Sequence, residues 1–446
     1  MTAFADTIAT IATPPGNGGV GIIRLSGPAV PAIAQSLGYK TLKPRYARFS
    51  SFPDENGEII DSGLMLYFPG PASFTGEDVL ELHAHGGRVV LDMLLRRTLA
   101  LGARLAAPGE FSQRAYLNNK MDLAQAEAIA DLITSSTEQA VRSAQQSLRG
   151  VFSAQINELL DELIELRVYI EAAIDFTDEE IDFWGDGVIA GKIGRLHDKV
   201  LKILATAQQG RLLHDGINVV LAGKPNAGKS SLLNALAGHE AAIVTELAGT
   251  TRDVLRERIQ LDGMPLHIID TAGLHASDNI IEQEGMRRAQ LEIEKADKVL
   301  LLLDSTKPAD DSLLDSLPPG INITRIYNKI DLSGLPPKIV ESAQGTEIYL
   351  SVKTGAGLEL LKQNLKQSAG FSESSDSVFT ARSRHIQALT QAGQALQSAE
   401  EQMQNLAPEL VAEDLRQVQN CLSEITGEFT ADDLLGVIFG SFCIGK

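Results

Sequence analysis

The sequence predicts a multidomain α/β and α protein: an α+β N-terminal domain, a helical-bundle domain, and a mostly parallel α/β domain inserted into the helical one. Three observations carry this. Short β-type runs alternate with helical patterns over residues 1–118. Apolar residues then recur at three- and four-residue steps from Leu123 to about Gly210, and again from Ala381 to Phe439. Between those helical stretches, buried-strand runs alternate with helices, as an open parallel sheet requires.

Thr7–Ala12, Val20–Leu25, Glu58–Phe68 and Asp78–His83 read as the N-terminal strands, and Ala29–Leu37 and Val89–Leu101 as helices. Pro14-Pro15-Gly16 and Gly86-Gly87 mark turns. Leu123, Ala126, Ala130 and Ile133 begin the helical domain, and Leu159, Leu160, Leu163, Leu166 and Ile170 continue it. Asp175–Asp186 is an acidic break with aromatics; it reads as a solvated helix-to-helix loop, with a cation site as the alternative. Buried strands are expected at Ile217–Leu221, Leu266–Ile269, Val299–Leu303, Ile321–Ile326 and Glu347–Leu350, and Ser372–Ser377 reads as a linker. The expected boundaries are 1–118, 119–210, 211–375 and 376–446, the second and fourth segments packing as one helical domain.

The 446 residues carry a net charge of −19, which disfavours a chain that grips nucleic acid by general phosphate attraction. The charge is uneven. Residues 1–118 hold ten Lys/Arg against ten Asp/Glu, whereas 119–210 hold eight against sixteen, a net −8. Two cysteines, Cys421 and Cys443, exclude a disulfide scaffold and a cysteine-built zinc site. No apolar run approaches the roughly 18 residues that span a bilayer, and the N-terminus lacks a signal-peptide pattern, so a cytoplasmic protein without a membrane partner is expected.

Gly223-Lys224-Pro225-Asn226-Ala227-Gly228-Lys229-Ser230 fits G-x-x-x-x-G-K-[ST], directly after one expected strand and before a helical pattern. Its N–H groups would cradle phosphates, Lys229 would reach the β/γ-phosphates, and the Ser230 hydroxyl would bind Mg²⁺, with Ser231 alongside. Asp270-Thr271-Ala272-Gly273 follows the next strand, where an Asp supports the Mg²⁺ shell and a Gly amide meets a γ-phosphate. Gly249-Thr250-Thr251-Arg252 lies between, where a γ-phosphate-sensing switch belongs, with Thr251 as second Mg²⁺ ligand; Thr245-Glu246-Leu247-Ala248 just before it is expected to contact GTP as well. Asn328-Lys329-Ile330-Asp331 supplies a carboxylate for the N1–H and 2-amino group of guanine, a donor pair adenine lacks. Ser351-Val352-Lys353 backs up base recognition. Together these predict a Ras-like P-loop G domain that binds GTP and GDP. Leu274 stands where many GTPases place a water-orienting Gln, so either hydrolysis is very slow or another group orients the water, with Glu282 and Glu284 both candidates. Asn226 can hold a monovalent cation where an arginine finger would otherwise sit.

Several blocks in order carry a resemblance: Pro14-Pro15-Gly16 with Gly18-Gly19-Val20-Gly21, Phe74-Thr75-Gly76-Glu77-Asp78, Pro108-Gly109-Glu110-Phe111, Leu123-Ala124-Gln125-Ala126-Glu127-Ala128, the G-domain motifs, and the tail Phe442-Cys443-Ile444-Gly445-Lys446. Over essentially its whole length the chain resembles the MnmE (TrmE) family of bacterial tRNA-modification GTPases, of the TRAFAC class. The resemblance implies a folate-binding N-terminal domain that forms a homodimer, and G domains that approach each other on GTP and K⁺. It selects Glu282 as the water-orienting residue and makes Asn226, Thr245, Leu247 and Thr250 the K⁺ positions. It places 5-formyl- or 5,10-methylene-tetrahydrofolate at Arg24, Glu81, Lys120 and Lys446, and the modification site near Cys443. Apart from it, Arg24 and Glu81 read as strand-end charges and Cys443 as a partly buried tail residue. The sequence departs from the family at Val352, where Ala is common, and in the acidity of Glu282-Gln283-Glu284-Gly285.

The implied function is GTP hydrolysis that, with an FAD-carrying MnmG/GidA-type partner in a heterotetramer, adds an aminomethyl or carboxymethylaminomethyl group to carbon 5 of uridine 34 of certain tRNAs. Two alternatives are a ribosome-assembly GTPase switch, which would need an RNA-binding module after the G domain, and a folate-dependent methyltransferase acting without a flavoprotein.

Overall fold

The computed structural model describes residues 5–39, 41–175, 187–237, 256–270, 296–308, 321–342, 345–371, 378–405, 407–427, 432–440 and 442. They form two compact units: one from 1–130, 148–196 and 394–446, the other from 131–147 and 197–393.

The first unit is built on a six-stranded sheet of β1 (Thr7–Ile11), β2 (Gly18–Ser26), β3 (Arg48–Pro53), β4 (Ile59–Phe68), β5 (Val79–Gly86) and β6 (Ala103–Leu105), in the order β3-β4-β5-β2-β1-β6. Neighbours are antiparallel except β1 and β6. Period-2 alternation explains its two faces. Leu80, Leu82 and Ala84 of β5 join Ile23, Leu25, Met65 and Phe52 in the core, covered by helices Val30–Ser36 and Arg88–Ala100 through Ile33, Leu91 and Leu94. Glu81, His83 and His85 alternate with that set and leave the opposite face polar. There Phe111 of helix Glu110–Leu117 packs on Ile8 and Ala106. The expected strands appear as β1, β2, β4 and β5. The edge strand β3 and the three-residue β6 lack a buried alternating pattern, and only their pairing with β4 and β1 makes them strands. The long helices Val151–Asp175 and Pro408–Thr426 pack on each other.

The second unit holds a seven-stranded sheet: β7 (Ile217–Gly223), β8 (Arg256–Leu261), β9 (Met264–Asp270), β10 (Lys298–Asp304), β11 (Ile323–Asn328), β12 (Lys338–Ser342) and β13 (Gly345–Tyr349), ordered β12-β13-β11-β10-β7-β9-β8. The five inner strands are parallel and the two edge strands antiparallel. β10 is buried on both faces, which is why it reads as an unbroken apolar run. Leu300 and Leu302 face one core with Leu232, Leu236, Leu361 and Leu365 of the helices Lys229–Ala237 and Leu358–Ala369. Val299, Leu301 and Leu303 face the other. Each such side chain contributes about 1.5–3 kcal/mol. The edges β8 and β12 were not expected from sequence: β12 is exposed along its length, and both carry charges that discourage edge pairing.

Asp131 ties together the two points where the chain enters and leaves this sheet region. Its carboxylate accepts from His214 Nε2 at 3.0 Å and from Arg382 at 2.5 Å. Burial pushes the Asp131 carboxyl up, but His214 and Arg382 outweigh it and hold it below its ordinary value. Its hydrogen bond, with that of Asp215, raises His214 to about 9. The folded value thus exceeds the unfolded one, near 6.5. The stabilisation is complete below about pH 6.5 and is lost as pH rises through about 9. We expect the stability difference between wild type and His214→Gln, measured by urea denaturation from pH 6 to 9.5, to be constant at the acid end and to shrink through about pH 9. A pH-independent difference would remove the assignment.

Candidate functional site

The phosphate end of the site is made by main chain. β7 delivers the chain to Gly223, whose φ of 157° and approach to Leu302 exclude a side chain: an added Cβ would lie 2.7 Å from the Leu302 carbonyl oxygen. The loop turns at Asn226, held at φ 65°, and at Gly228, at φ 105°. An added Cβ at Gly228 would lie 2.5 Å from Asn328 Nδ2. Leu232 N–H then donates to the Gly228 carbonyl at 2.8 Å, and helix Lys229–Ala237 begins. Its first N–H groups and positive dipole end attract an anion. Lys229 Nζ folds over the loop and donates to the Gly223 carbonyl at 2.6 Å.

The base end is made by side chains. Asn328, buried, donates from Nδ2 to the Ala227 carbonyl at 2.9 Å, while its Oδ1 accepts from Lys329 N–H at 2.8 Å and Val352 N–H at 3.0 Å. Ser351, with no exposed surface, donates from Oγ to Asp331 Oδ1 at 2.6 Å. That bond fixes the carboxylate plane and leaves Oδ2 and further lone pairs free for a bidentate donor pair. Thr354 N–H donates in turn to Ser351 Oγ at 3.3 Å, and Ser351 N–H to the Ala356 carbonyl at 2.8 Å, so the supporting turn is tied to itself. One cavity of about 860 Å³ runs between the two ends. It is lined by Asn226, Gly228, Lys229, Ser230 and Ser231 on the loop side and by Asn328, Lys329, Asp331, Val352 and Lys353 on the other. That volume suits a nucleotide.

The described residues thus bring the phosphate loop, Asn328-Lys329-Ile330-Asp331 and Ser351-Val352-Lys353 around one cavity. The motif residues Gly223, Asp270 and Asn328 are the last residues of β7, β9 and β11 rather than the first beyond them. Thr245 to Thr251, Thr271, Ala272, Gly273, Glu282 and Glu284 lie outside the described residues, as does the side chain of Asp270, and so do Cys443, Lys446 and the acidic break at 176–186. Sequence reasoning missed Asp304, which ends β10 and accepts from Lys329 Nζ at 2.7 Å. The signal available was an Asp closing a buried run, two residues before a hydroxyl.

In the first unit, Arg24 and Glu81 are not strand-end charges. They are direct cross-strand partners of β2 and β5, with Arg24 Nε 2.9 Å and Nη2 2.8 Å from Glu81 Oε1. His83 Nε2 lies 3.2 Å from Glu81 Oε2, and the Arg24 guanidinium stands 6.0 Å from the Phe111 ring centre. Lys120 Nζ donates to the Pro71 carbonyl at 2.9 Å and lines a second cavity of about 520 Å³ with Tyr116, Asp122 and Thr426. Sequence reasoning also missed the network beneath them: Arg114, fully buried, contacts Asp6, Glu77 and Glu110 at 2.9, 3.1 and 3.0 Å.

No helix among the described residues is long and apolar enough to cross a membrane, and no group of three or more acidic, His or Cys residues among them is placed to hold a metal ion.

Comparison with known proteins places these two regions in one family. Residues 7–120 match the family model described as the GTP-binding protein TrmE N-terminus, and residues 123–443 the model of the MnmE helical domain. Curated proteins named tRNA modification GTPase MnmE align end to end. That of Hydrogenovibrio crunogenus is 54% identical over 99% of both chains. That of Pseudomonas aeruginosa is 56% identical, and that of Saccharophagus degradans 57%, each over the whole of both chains. The chain belongs to the MnmE family of tRNA modification GTPases.

Proposed function

We propose that the protein is a GTPase that drives modification of the wobble uridine of certain tRNAs. The observation that carries the nucleotide part is the pairing of a buried Ser351 with the Asp331 carboxylate at the far end of a cavity that begins at the phosphate loop. A fixed carboxylate selects guanine, and the loop amides with Lys229 hold the phosphates. The donor set fits Mg²⁺: the Ser230 hydroxyl lines the cavity, Thr251 would be its second ligand, and oxygen donors suit a hard cation. Asn226, on the same wall, would supply an amide oxygen to K⁺ with Thr245, Leu247 and Thr250. Bound metal would neutralise charge developing on the transferred phosphoryl group. Glu282 would orient the attacking water in place of the Gln replaced by Leu274.

We propose further that the N-terminal unit binds a tetrahydrofolate. Glu81, held by Arg24 and His83, presents a carboxylate suited to the adjacent N–H donors of a pterin, and Lys120 and Lys446 suit a glutamyl tail. This reading includes a homodimer through the N-terminal domains, an FAD-carrying MnmG/GidA-type partner in a heterotetramer, and G domains that meet on GTP and K⁺. The one-carbon unit comes from the folate and the amine from glycine or ammonium, while hydrolysis moves the assembly between states. The four-part boundaries at 118, 210 and 375 belong to the same proposal, as does a place in the cytoplasm. Acidic composition fits a division of labour in which the partner supplies most of the tRNA grip.

Nucleoside mass spectrometry of bulk tRNA, from cells with and without the gene, tests this first. Loss of the carbon-5 aminomethyl-type uridines, restored by wild type and not by Asp270→Ala, is expected. An unchanged uridine profile would overturn the modification role and favour the ribosome-assembly alternative. Asp331→Asn should exchange preference from GTP to xanthosine triphosphate, whose 2-carbonyl accepts where guanine donates; retained GTP preference in a competition assay would reject the base assignment. Glu282→Ala should bind GTP as wild type does and hydrolyse it about 10²-fold or more slowly in K⁺ buffer, by analogy with loss of other positioned catalytic groups. Near-normal turnover would reject that role.

A further inference from the structure

Lys329 lines the base end of the same cavity, and its ammonium is held by Asp304, a residue outside every motif above. We propose that Asp304 is a positioning residue of the guanine site: it holds Lys329 with its charge neutralised, so that the lysine forms a flat wall for the base and not a rival anchor for phosphate. This rests on the nucleotide reading of the cavity, which it deepens.

The geometry is specific. Asp304 and Asn328 are opposite each other where the parallel strands β10 and β11 end. Asp304 Oδ2 accepts from Lys329 Nζ at 2.7 Å. Its Oδ1 accepts from Thr306 Oγ1 at 2.7 Å and Thr306 N–H at 3.1 Å, so both oxygens are held. Lys329 and Thr306, in that order, keep the carboxyl ionised, down to about 2. The next residue repeats the connection: Ser305 N–H donates to the Asn328 carbonyl at 2.9 Å, and the Ser305 and Ser333 hydroxyls are 2.9 Å apart. Lys329 itself sits at φ 66°, a left-handed conformation costly for a residue with a side chain. Three separate contacts from Asp304 and Ser305 thus brace the loop that carries Asp331.

The chemistry follows from charge and freedom. An unpaired lysine has a mobile stem, and ordering it on binding costs affinity. Its ammonium would also draw the polyphosphate towards the base end. Paired to Asp304, the ammonium is satisfied before any ligand arrives, and what remains for a neutral ring is the apolar stem.

Fluorescent GDP titration and steady-state GTP hydrolysis of the full-length protein test this. Asp304→Asn should weaken GDP and GTP by a similar factor, about tenfold, the scale of one charge-assisted hydrogen bond. Its kcat at saturating GTP should stay within about twofold. Lys329→Ala should lose a similar factor, and the double variant little more than either alone. Asp304→Glu, which keeps the charge, should recover part of the loss. Wild-type affinity in Asp304→Asn, or losses that multiply in the double variant, would overturn the proposal; so would a fall in kcat without a change in affinity. A thermal melt matching wild type is required of each variant, and Asp304→Glu carries the test if Asp304→Asn unfolds. Asp331→Asn separates the two levels: if it retains guanine preference, the base-site reading fails whatever Asp304 does.

Discussion

One amide holds the nucleotide site together. Asn328 donates to the phosphate loop at Ala227 and accepts from the chain at Lys329 and Val352. It therefore fixes the distance between the wall that takes phosphate and the walls that take the base. A buried hydrogen bond contributes only about 1 kcal/mol net, but a buried amide left without its partners costs about 1–3 kcal/mol per group. The arrangement is thus enforced more by the penalty of breaking it than by the gain in making it. It also dictates a neighbour: Nδ2 reaches Ala227 only because residue 228 has no Cβ.

The sheet places that amide. β10 and β7 are neighbours, with Leu302 opposite Gly223, and chain order runs outward from this pair in both directions, to β11 and β13 on one side and β9 on the other. Loops leaving adjacent strand ends therefore diverge here and open a crevice, the usual place for a ligand in a parallel sheet. The crevice is stiff because its strands are packed on both faces. Leu300 and Leu302 serve one core and Val299 and Leu301 the other, so a shift of β10 would disturb both.

How far this was legible in the sequence depends on the range of the interaction. The phosphate loop, Asp331 and Ser351 could be read because each motif is contiguous and its chemistry is set by residue type. The inner strands could be read because two-sided burial forces apolar runs. Asp304, β8 and β12 could not. Asp304 matters only through strand register, which sets it opposite Asn328, 24 positions later in the chain. β12 exposes every residue and exists only because β13 pairs with it. The same limit hid the contact of Arg24 with Glu81: as single letters they are charges near strand ends, whereas the register of β2 on β5 makes them a pair.

The N-terminal unit shows why a recurring sequence block need not be a ligand site. Glu77 of one such block and Glu110 of another converge on the fully buried Arg114, with Asp6 as a third acid. Arg104 adds to the same network through Asp6 and Glu110. Burying Arg114, Glu77 and Glu110 costs several kcal/mol per ion before their attraction returns it, so such a network is weak as a source of stability. Its strength lies in geometry: a planar guanidinium satisfied by Glu110 of its own helix and by Asp6 and Glu77 from distant parts of the chain admits few alternative packings. The neutral balance of the first 118 residues, ten basic against ten acidic, follows in part from this. Charges there are consumed pairwise, Arg24 with Glu81 and Arg104 and Arg114 with three acids. The excess of acid begins only at residue 119, where eight basic residues stand against sixteen acidic ones as far as residue 210.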